Sequence, residues 1–424
     1  MTDASPATPP PVPLPRGVLA AAVMGNALEF YDFLVYSFFA VYIGKAFFPA
    51  ATPLGSLLLA VGVFGAGFVT RPLGGLVFGA LADRAGRRVA MLWTLALITL
   101  GTLGLVLTPS YASIGPAAPL IVVAARLVQG LALGGEVGPS TAFLVESARP
   151  GARGLAGSLQ IASQGAAILL AGLVGLAFAA ALTPAQMQDW GWRAPFVLAL
   201  LALPLGVKLR RAMPETRPPT RVDAPRARLG PHRRTLTLAV LVILGGSVST
   251  YVASYLTTYA IVTLKLPAAA AMGATIAVGL ATLVFGLAGG HWADRIGRKP
   301  VAIWPRVVMA LLAVPAFMAL VRWPSAGMLA AVSFVLAAIA GTSAAPSLVA
   351  IPELLPGPVR ATGLAIAYAL GVSLFGGSTQ FVVTWLLAVT GDPLAPAWTM
   401  TAASVVTAVS MAALPETGGR ALQD

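Results

Sequence analysis

The sequence predicts an all-α polytopic membrane protein, with twelve transmembrane helices in two pseudo-symmetric six-helix bundles. Three observations predict it. Of 424 residues, 58% are hydrophobic and only 10% charged, against about 25% charged in soluble domains. Apolar runs long enough to span a bilayer recur from end to end of the chain. The chain also repeats itself: "GGLVFGALADRAGRRVAMLW" (74–93) returns as "FGLAGGHWADRIGRKPVAIW" (285–304) at a shift of 211. That shift lays Gly75, Gly79, Asp83, Arg84, Gly86, Arg87 and Trp93 on Gly286, Gly290, Asp294, Arg295, Gly297, Arg298 and Trp304.

The apolar runs read as spans near 17–44, 54–82, 89–109, 117–146, 154–182, 192–209, 235–263, 267–292, 301–321, 325–351, 361–390 and 394–414. Residues 1–15 hold six prolines and no apolar stretch, and read as a disordered cytoplasmic tail, not a signal peptide. Residues 16–207 form the first bundle, the Arg- and Pro-rich stretch 208–234 a cytoplasmic linker, and 235–424 the second bundle with a short tail. With both ends on one side, 20 of the 27 Lys and Arg fall on that side. Four (Lys45, Arg193, Lys265, Arg322) fall opposite, and Arg71, Arg126 and Arg306 lie within spans. The crowded side is cytoplasmic by the positive-inside rule. The net charge of +13 is therefore a topology signal and not a nucleic-acid footprint. The chain has no cysteine and two histidines, His232 and His291, so thiol chemistry is excluded and no metal or cofactor is expected. No nucleophile–base pair or phosphate-cradling loop suggests an enzyme. His291, beside the repeated loop, reads as structural.

The first span carries the puzzle of the chain. Within "GNALEFYDFLVY" (25–36), Glu29, Asp32 and Tyr36 fall at i, i+3 and i+7, one helical stripe. Asn26, the only asparagine in the chain, starts that stripe. A charge at mid-bilayer costs about 2.5–3.5 kcal/mol on insertion scales, so the stripe must face protein or water. Arg71 and Arg126 are the expected partners, and Glu136 on the fourth span adds a third carboxylate. A buried carboxylate is pushed up by desolvation and down by a nearby guanidinium, so moving the guanidinium moves the proton. Glu29, Asp32, Arg71 and Glu136 are thus candidate ion-coupling residues. The alternative is a static set of salt bridges that fixes helix register. Carboxylates and serines bind Na⁺ as well as protons, so both coupling ions stay open.

For an anionic substrate at the midplane, Arg126 is the candidate clamp, because a guanidinium pairs a carboxylate bidentately. Polar groups on spans that meet there complete the candidate substrate set: Tyr36, Gln160 and Gln164 (with Ser163), Tyr255 and Thr258, Tyr368 and Gln380. Arg306 stands near the start of the ninth span, placed either to snorkel or to act as a second anion ligand. Glu146 and Arg153 are seven apart, as are Glu353 and Arg360 in the second half.

These residues carry a resemblance. "GALADRAGRR" and "GGHWADRIGRK" resemble the duplicated loop motif of the major facilitator superfamily. "GNALEFYDF" (25–33), "RPLGG" (71–75), "RLVQGLALGGEVG" (126–138), "YLTTY" (255–259) and "FGGSTQ" (375–380) resemble its metabolite:proton symporter branch. "GKAFFP" (44–49), "GWRAPF" (191–196) and "TGDPLAPAW" (390–398) look most like the citrate and tricarballylate carriers. The resemblance implies alternating access, with Asp83, Arg87, Asp294, Arg298, Glu146 and Arg153 as a gating latch. It also implies a monomer in the bacterial inner membrane, its partners an organic anion, H⁺ or Na⁺, and lipid. Branch relatives carrying 2-oxoglutarate, betaine or proline, or a shikimate-like acid are the alternative substrates.

The topology has a direct check, since the native chain lacks cysteine. A single cysteine placed by Asp223→Cys should react with an impermeant maleimide only after the cells are opened; labelling in intact cells would reverse the orientation.

Overall fold

A computed structural model describes residues 16–85, 87–134, 141, 144–145, 148–149, 151–212 and 230–420. Ten described helices are long and apolar enough to cross a membrane, and a bent pair adds an eleventh. The bent pair is the first span, in which Val23–Phe38 and Ala40–Phe47 meet at 65°. The twelfth, Ala395–Ala412, lies outside that set because Thr399, Thr401, Ser404, Thr407 and Ser410 dilute its apolar residues. The sixth span runs on to Ala212 and the seventh begins at Arg233, with Gly230–His232 a short 3₁₀ turn before it. Residues 213–229 of the expected linker lie outside the described residues.

Two departures from straight helix have local causes. The second span stops at Val69 and restarts at Arg71, where Pro72 can supply no amide to the preceding turn. The Thr70 hydroxyl at the break donates to Leu127 O of the fourth span (2.7 Å). The eleventh span widens into a π-helical segment at Val372–Gly376 before Gly377–Thr390, a turn type frequent at functional sites. Nothing in the apolar pattern of "VSLFGG" marks that turn, because apolar periodicity is blind to one extra residue per turn.

Glycine decides how near the spans come. A Cβ at Gly130 would stand 1.6 Å from Gly67 O, one at Gly74 1.8 Å from Leu131 O, and one at Gly134 1.9 Å from Arg71 O. The signatures "RPLGG" and "RLVQGLALGG" therefore bring the second and fourth spans into backbone contact, as small-residue faces do in membranes. Between the halves, the fifth span (Arg153–Ala181) packs along the eighth (Ala268–Ile296). There a Cβ at Gly279 would lie 2.2 Å from Leu169 N, and one at Gly165 2.4 Å from Leu283 N. The second and eleventh spans form the matching contact, with Gly65 against Gly377 O.

Gly279→Ala should force the fifth and eighth spans apart and lower stability by about 1–3 kcal/mol, the usual cost of overpacking. Gly273→Ala on the same helix, where a Cβ meets nothing within 4 Å, should be neutral or stabilising. Thermal unfolding of both variants in detergent checks the contrast.

Candidate functional site

The N-terminal half gathers its charges where the first, second, third, fourth and sixth spans meet. Glu29 and Asp32 are 3% and 4% exposed, Arg71 5% and Arg126 0%, so these groups are almost wholly withdrawn from lipid and bulk water. Glu29 pairs not with Arg71 or Arg126, as the sequence suggested, but with Arg210 at the end of the sixth span. Arg210 had counted only as a rim charge. With it, the described carboxylates Glu29 and Asp32 stand among three buried guanidiniums, Arg71, Arg126 and Arg210. The sequence signal was weak: Arg210 and Arg211 are neighbours, and only the helical phase turns Arg210 inward and leaves Arg211 exposed.

Asp32 is held by neutral groups. Its Oδ2 accepts from Thr102 Oγ1 (2.7 Å) and Gln129 Nε2 (2.9 Å), while its Oδ1 has no partner among the described residues. Gln129 passes the contact on, because its Oε1 accepts from Arg126 Nη1 at 2.6 Å. Arg126 and Asp32 are thus joined through one amide. Neither Thr102 nor Gln129 stood out in the sequence, although Gln129 follows Arg126 by one helical turn. Arg126 Nε and Nη2 are unpartnered among the described residues. Its guanidinium carbon lies 4.4 Å from the Tyr36 ring centroid, 4.5 Å from Phe33 and 5.2 Å from Phe64. Arg71 sits 4.5 Å from the Phe33 centroid and 4.0 Å from that of Phe68. Desolvated cation–π contacts of this kind contribute about 2 kcal/mol, and here they stand in for water around two cations.

The remaining polar candidates divide into two groups. A cavity of about 80 Å³ lies between the halves, and Gln164 and Tyr368 line it. Tyr251, Ser247, Thr250 and Ser347 line it too; the sequence reading omitted them, though Tyr251 precedes Tyr255 and Tyr259 at four-residue spacing on one stripe. Tyr36, Gln160, Tyr255, Thr258, Gln380 and Arg126 are not among its lining residues. Gln160 Nε2 donates to Asn26 Oδ1 (2.9 Å), and Asn26 Nδ2 donates to Ser163 Oγ (2.6 Å), which locks the first span to the fifth. The Tyr36 hydroxyl donates to Ala60 O (3.1 Å), and Tyr255 accepts from Thr384 Oγ1 (3.0 Å). The Thr258 hydroxyl is buried without a partner among the described residues. Gln380 donates to Ser37 of the opposite half. Glu136 and Glu146 lie outside the described residues, as do the side chains of Asp83 and Arg87.

At the end bearing the repeated loops, Asp294 reaches across to the other half. Its carboxylate accepts from Gly154 N and Leu155 N, both at 2.8 Å, at the start of the fifth span. Ala152, at the capping position there, offers no side-chain acceptor, so Asp294 serves as the cap. Arg298 holds Asp294 (2.8 Å) and forks onto Glu353 (2.9 and 3.2 Å). Arg153 donates to Arg420 O (2.9 Å). Glu416 closes the knot: burial pushes its carboxyl up, but the backbone amides of Gly418, Lys299, Arg298 and Thr417 outweigh that and hold it below the usual range. Arg360 turns back to Pro352 O (3.0 Å), and His291 is exposed.

A family model described as sugar (and other) transporter matches residues 18–218 and 225–424. The chain belongs to that family, within the major facilitator superfamily. Among its relatives, a citrate–proton symporter of Klebsiella pneumoniae is 37% identical over 399 residues, 92% of this chain and 89% of that protein. An alpha-ketoglutarate permease of Escherichia coli (strain K12) is 33% identical over 395 residues, 92% of this chain and 91% of that one. Among solved structures, a D-xylose–proton symporter matches with TM-score 0.78 at 21% identity, over 96% of this chain and 99% of that one, a likeness of fold alone. Members of the family are multi-pass transporters, and the buried charges of this one are to be understood as parts of a carrier.

Arg210→Gln should leave Glu29 buried without its cation and cost about 3–5 kcal/mol. The double variant Glu29→Gln/Arg210→Gln should recover most of that loss. Thermal unfolding of Arg210→Gln, Glu29→Gln and the double variant decides; a double-variant loss equal to the sum of the two single losses would mean that the pair carries no coupling.

Proposed function

We propose that this transporter is a proton-coupled symporter of a di- or tricarboxylate, working by alternating access in the bacterial inner membrane with both termini cytoplasmic. One observation carries the reading. Among the described residues, Arg126 has two donors without partners, Asp32 has one acceptor without a partner, and the Gln129 amide joins the two. Buried polar groups left unsatisfied cost about 1–3 kcal/mol each; an anion on Arg126 would accept from its spare donors, and a proton on Asp32 would remove the buried negative charge. A substrate carboxylate drawn to Arg126 competes with Gln129 for it, which changes how strongly Asp32 favours its charged form. Substrate and proton occupancy are linked in that way. Glu29, already neutralised by Arg210, falls from the coupling role to a structural one.

The names of the relatives support a carboxylate: one is a citrate–proton symporter and another an alpha-ketoglutarate permease. A cavity of about 80 Å³ is small beside ligand sites of roughly 300–1,000 Å³. The described form is therefore a contracted one, and Arg126 comes into play as the halves separate. Asp294 and its partners act as the gate, because their contacts join the halves at one end and must break for that end to open.

In proteoliposomes, Asp32→Asn should abolish uphill citrate or 2-oxoglutarate uptake driven by ΔpH while sparing substrate counterflow, which moves no net proton. Arg126→Gln should weaken calorimetric carboxylate binding by about 3–5 kcal/mol, and Arg126→Lys should rescue little, since an ammonium lacks the planar fork. Normal ΔpH-driven accumulation by Asp32→Asn, or uptake driven by Na⁺ alone, would overturn the proton reading. Wild-type preference for betaine over every carboxylate would replace the substrate class.

A further inference from the structure

The C-terminal half also holds a guanidinium at depth, and the coupling scheme above makes no use of it. Arg306, on the ninth span (Arg298–Arg322), is 1% exposed, so it does not snorkel. Its Nε donates to Ser343 Oγ at 2.9 Å, and its Nη1 to Gly245 O and Ser249 Oγ, both at 2.8 Å. All three acceptors are neutral. Nη2 has no partner among the described residues.

The sequence shows that this half has no carboxylate to give it. Residues 235–424 contain five acidic residues: Asp294, Glu353, Asp392, Glu416 and Asp424. Asp294, Glu353 and Glu416 belong to the latch at the loop end. Asp392 lies beyond the eleventh span, where its carboxylate caps the Leu394 amide (2.9 Å), and Asp424 is the last residue. The ninth span packs on the eighth, tenth and twelfth of its own half. A buried charge with no counter-charge is costly, and where one occurs within a span it marks a functional site by default. The charge is not part of the duplicated framework either, since the shift of 211 places Leu95 opposite Arg306.

Gly246 shows where the unpartnered donor points. A Cβ built on Gly246 would meet only Arg306 Nη2, at 3.9 Å. Gly246 itself lines the cavity between the halves, together with Ser247, Thr250 and Ser347 and, from the other half, Gln164. The guanidinium thus stands directly behind a stretch of cavity wall that has no side chain.

We propose that Arg306 is a carboxylate subsite: the C-terminal half's contact for one carboxylate of the transported anion, reached past Gly246 as the cavity widens. This rests on the reading of the protein as a carboxylate symporter. A di- or tricarboxylate brings a second negative group to meet Arg306, and a monocarboxylate or zwitterion does not. Arg306 therefore selects for multiply charged anions, and it gives each half its own grip on the substrate.

Calorimetric titration of the full-length protein in detergent with tricarballylate, glutarate and butyrate tests this, with the unfolding temperature of each variant measured alongside. Wild type should bind tricarballylate and glutarate more tightly than butyrate. Arg306→Gln should weaken tricarballylate on the order of a hundredfold, the effect of losing one partner of a buried charge pair, and leave butyrate nearly unchanged. Gly246→Val, which covers the window and leaves the charge in place, should shift binding in the same direction with a wild-type unfolding temperature. If Arg306→Gln lowers the unfolding temperature while both variants keep wild-type affinities, Arg306 merely cross-links the seventh, ninth and tenth spans and the subsite is refuted. If wild type binds none of the three anions, the carboxylate reading itself falls and the subsite with it.

Discussion

The N-terminal half is organised around the cost of keeping Arg126 away from water. A guanidinium in a low-dielectric interior needs acceptors, π faces or counter-charge, and this one receives all three in small amounts. Gln129 supplies the acceptor, three aromatic rings supply the faces, and Asp32 supplies a counter-charge one amide away. Of these, the Phe64 ring comes from the second span and would be out of reach if the second and fourth spans stood at ordinary distance. The glycines at 67, 74, 130 and 134 remove the side chains that would hold them apart. Backbone contact thus contributes to the electrostatics: glycine brings the two spans together, and the Phe64 ring is then placed against the charge.

The two halves solve the problem of buried charge differently. In the first, Glu29 is paired with Arg210, and Asp32 is joined to Arg126 through Gln129. In the second, the described acidic residues are used at the ends of the spans, and Arg306 is left with neutral hydroxyls and a carbonyl. Between them the cavity is flanked by contacts that cross from half to half. Asp294 of the eighth span, bonded to the start of the fifth, stands at the loop end, and Gln380, bonded to Ser37, toward the other.

Much of the fold was legible because lipid permits few solutions: long apolar helices, a doubled loop motif and a one-sided charge count leave little freedom. The individual site was less legible, and the reasons differ by residue. Asp32 and Arg126 stand out since a charge in a span has to be explained. Gln129 and Thr102 do not, because a polar neutral residue in a span ordinarily bonds within its own helix. Arg210 was hidden by its neighbours, for a cation near a span end is the expected topology signal and its burial depends on helical phase. Tyr251 was passed over for the "YLTTY" stretch just beyond it, although the same stripe runs through both. Gln160 and Gln380 drew notice as polar groups at a midplane, but packing commits them to Asn26 and Ser37.

The cap that Asp294 places on the fifth span has a consequence for energetics. The amides of Gly154 and Leu155 lose nothing essential when the halves separate, because the water that enters that end can accept the same two hydrogen bonds. Asp294 and the helix start each trade one partner for another, one for one. An exchange of that kind keeps this contact from favouring either form strongly, so it is no trap. A gate that costs little to open or close sets no direction of its own, and for a carrier of the proposed kind the direction is left to the concentrations on either side of the membrane.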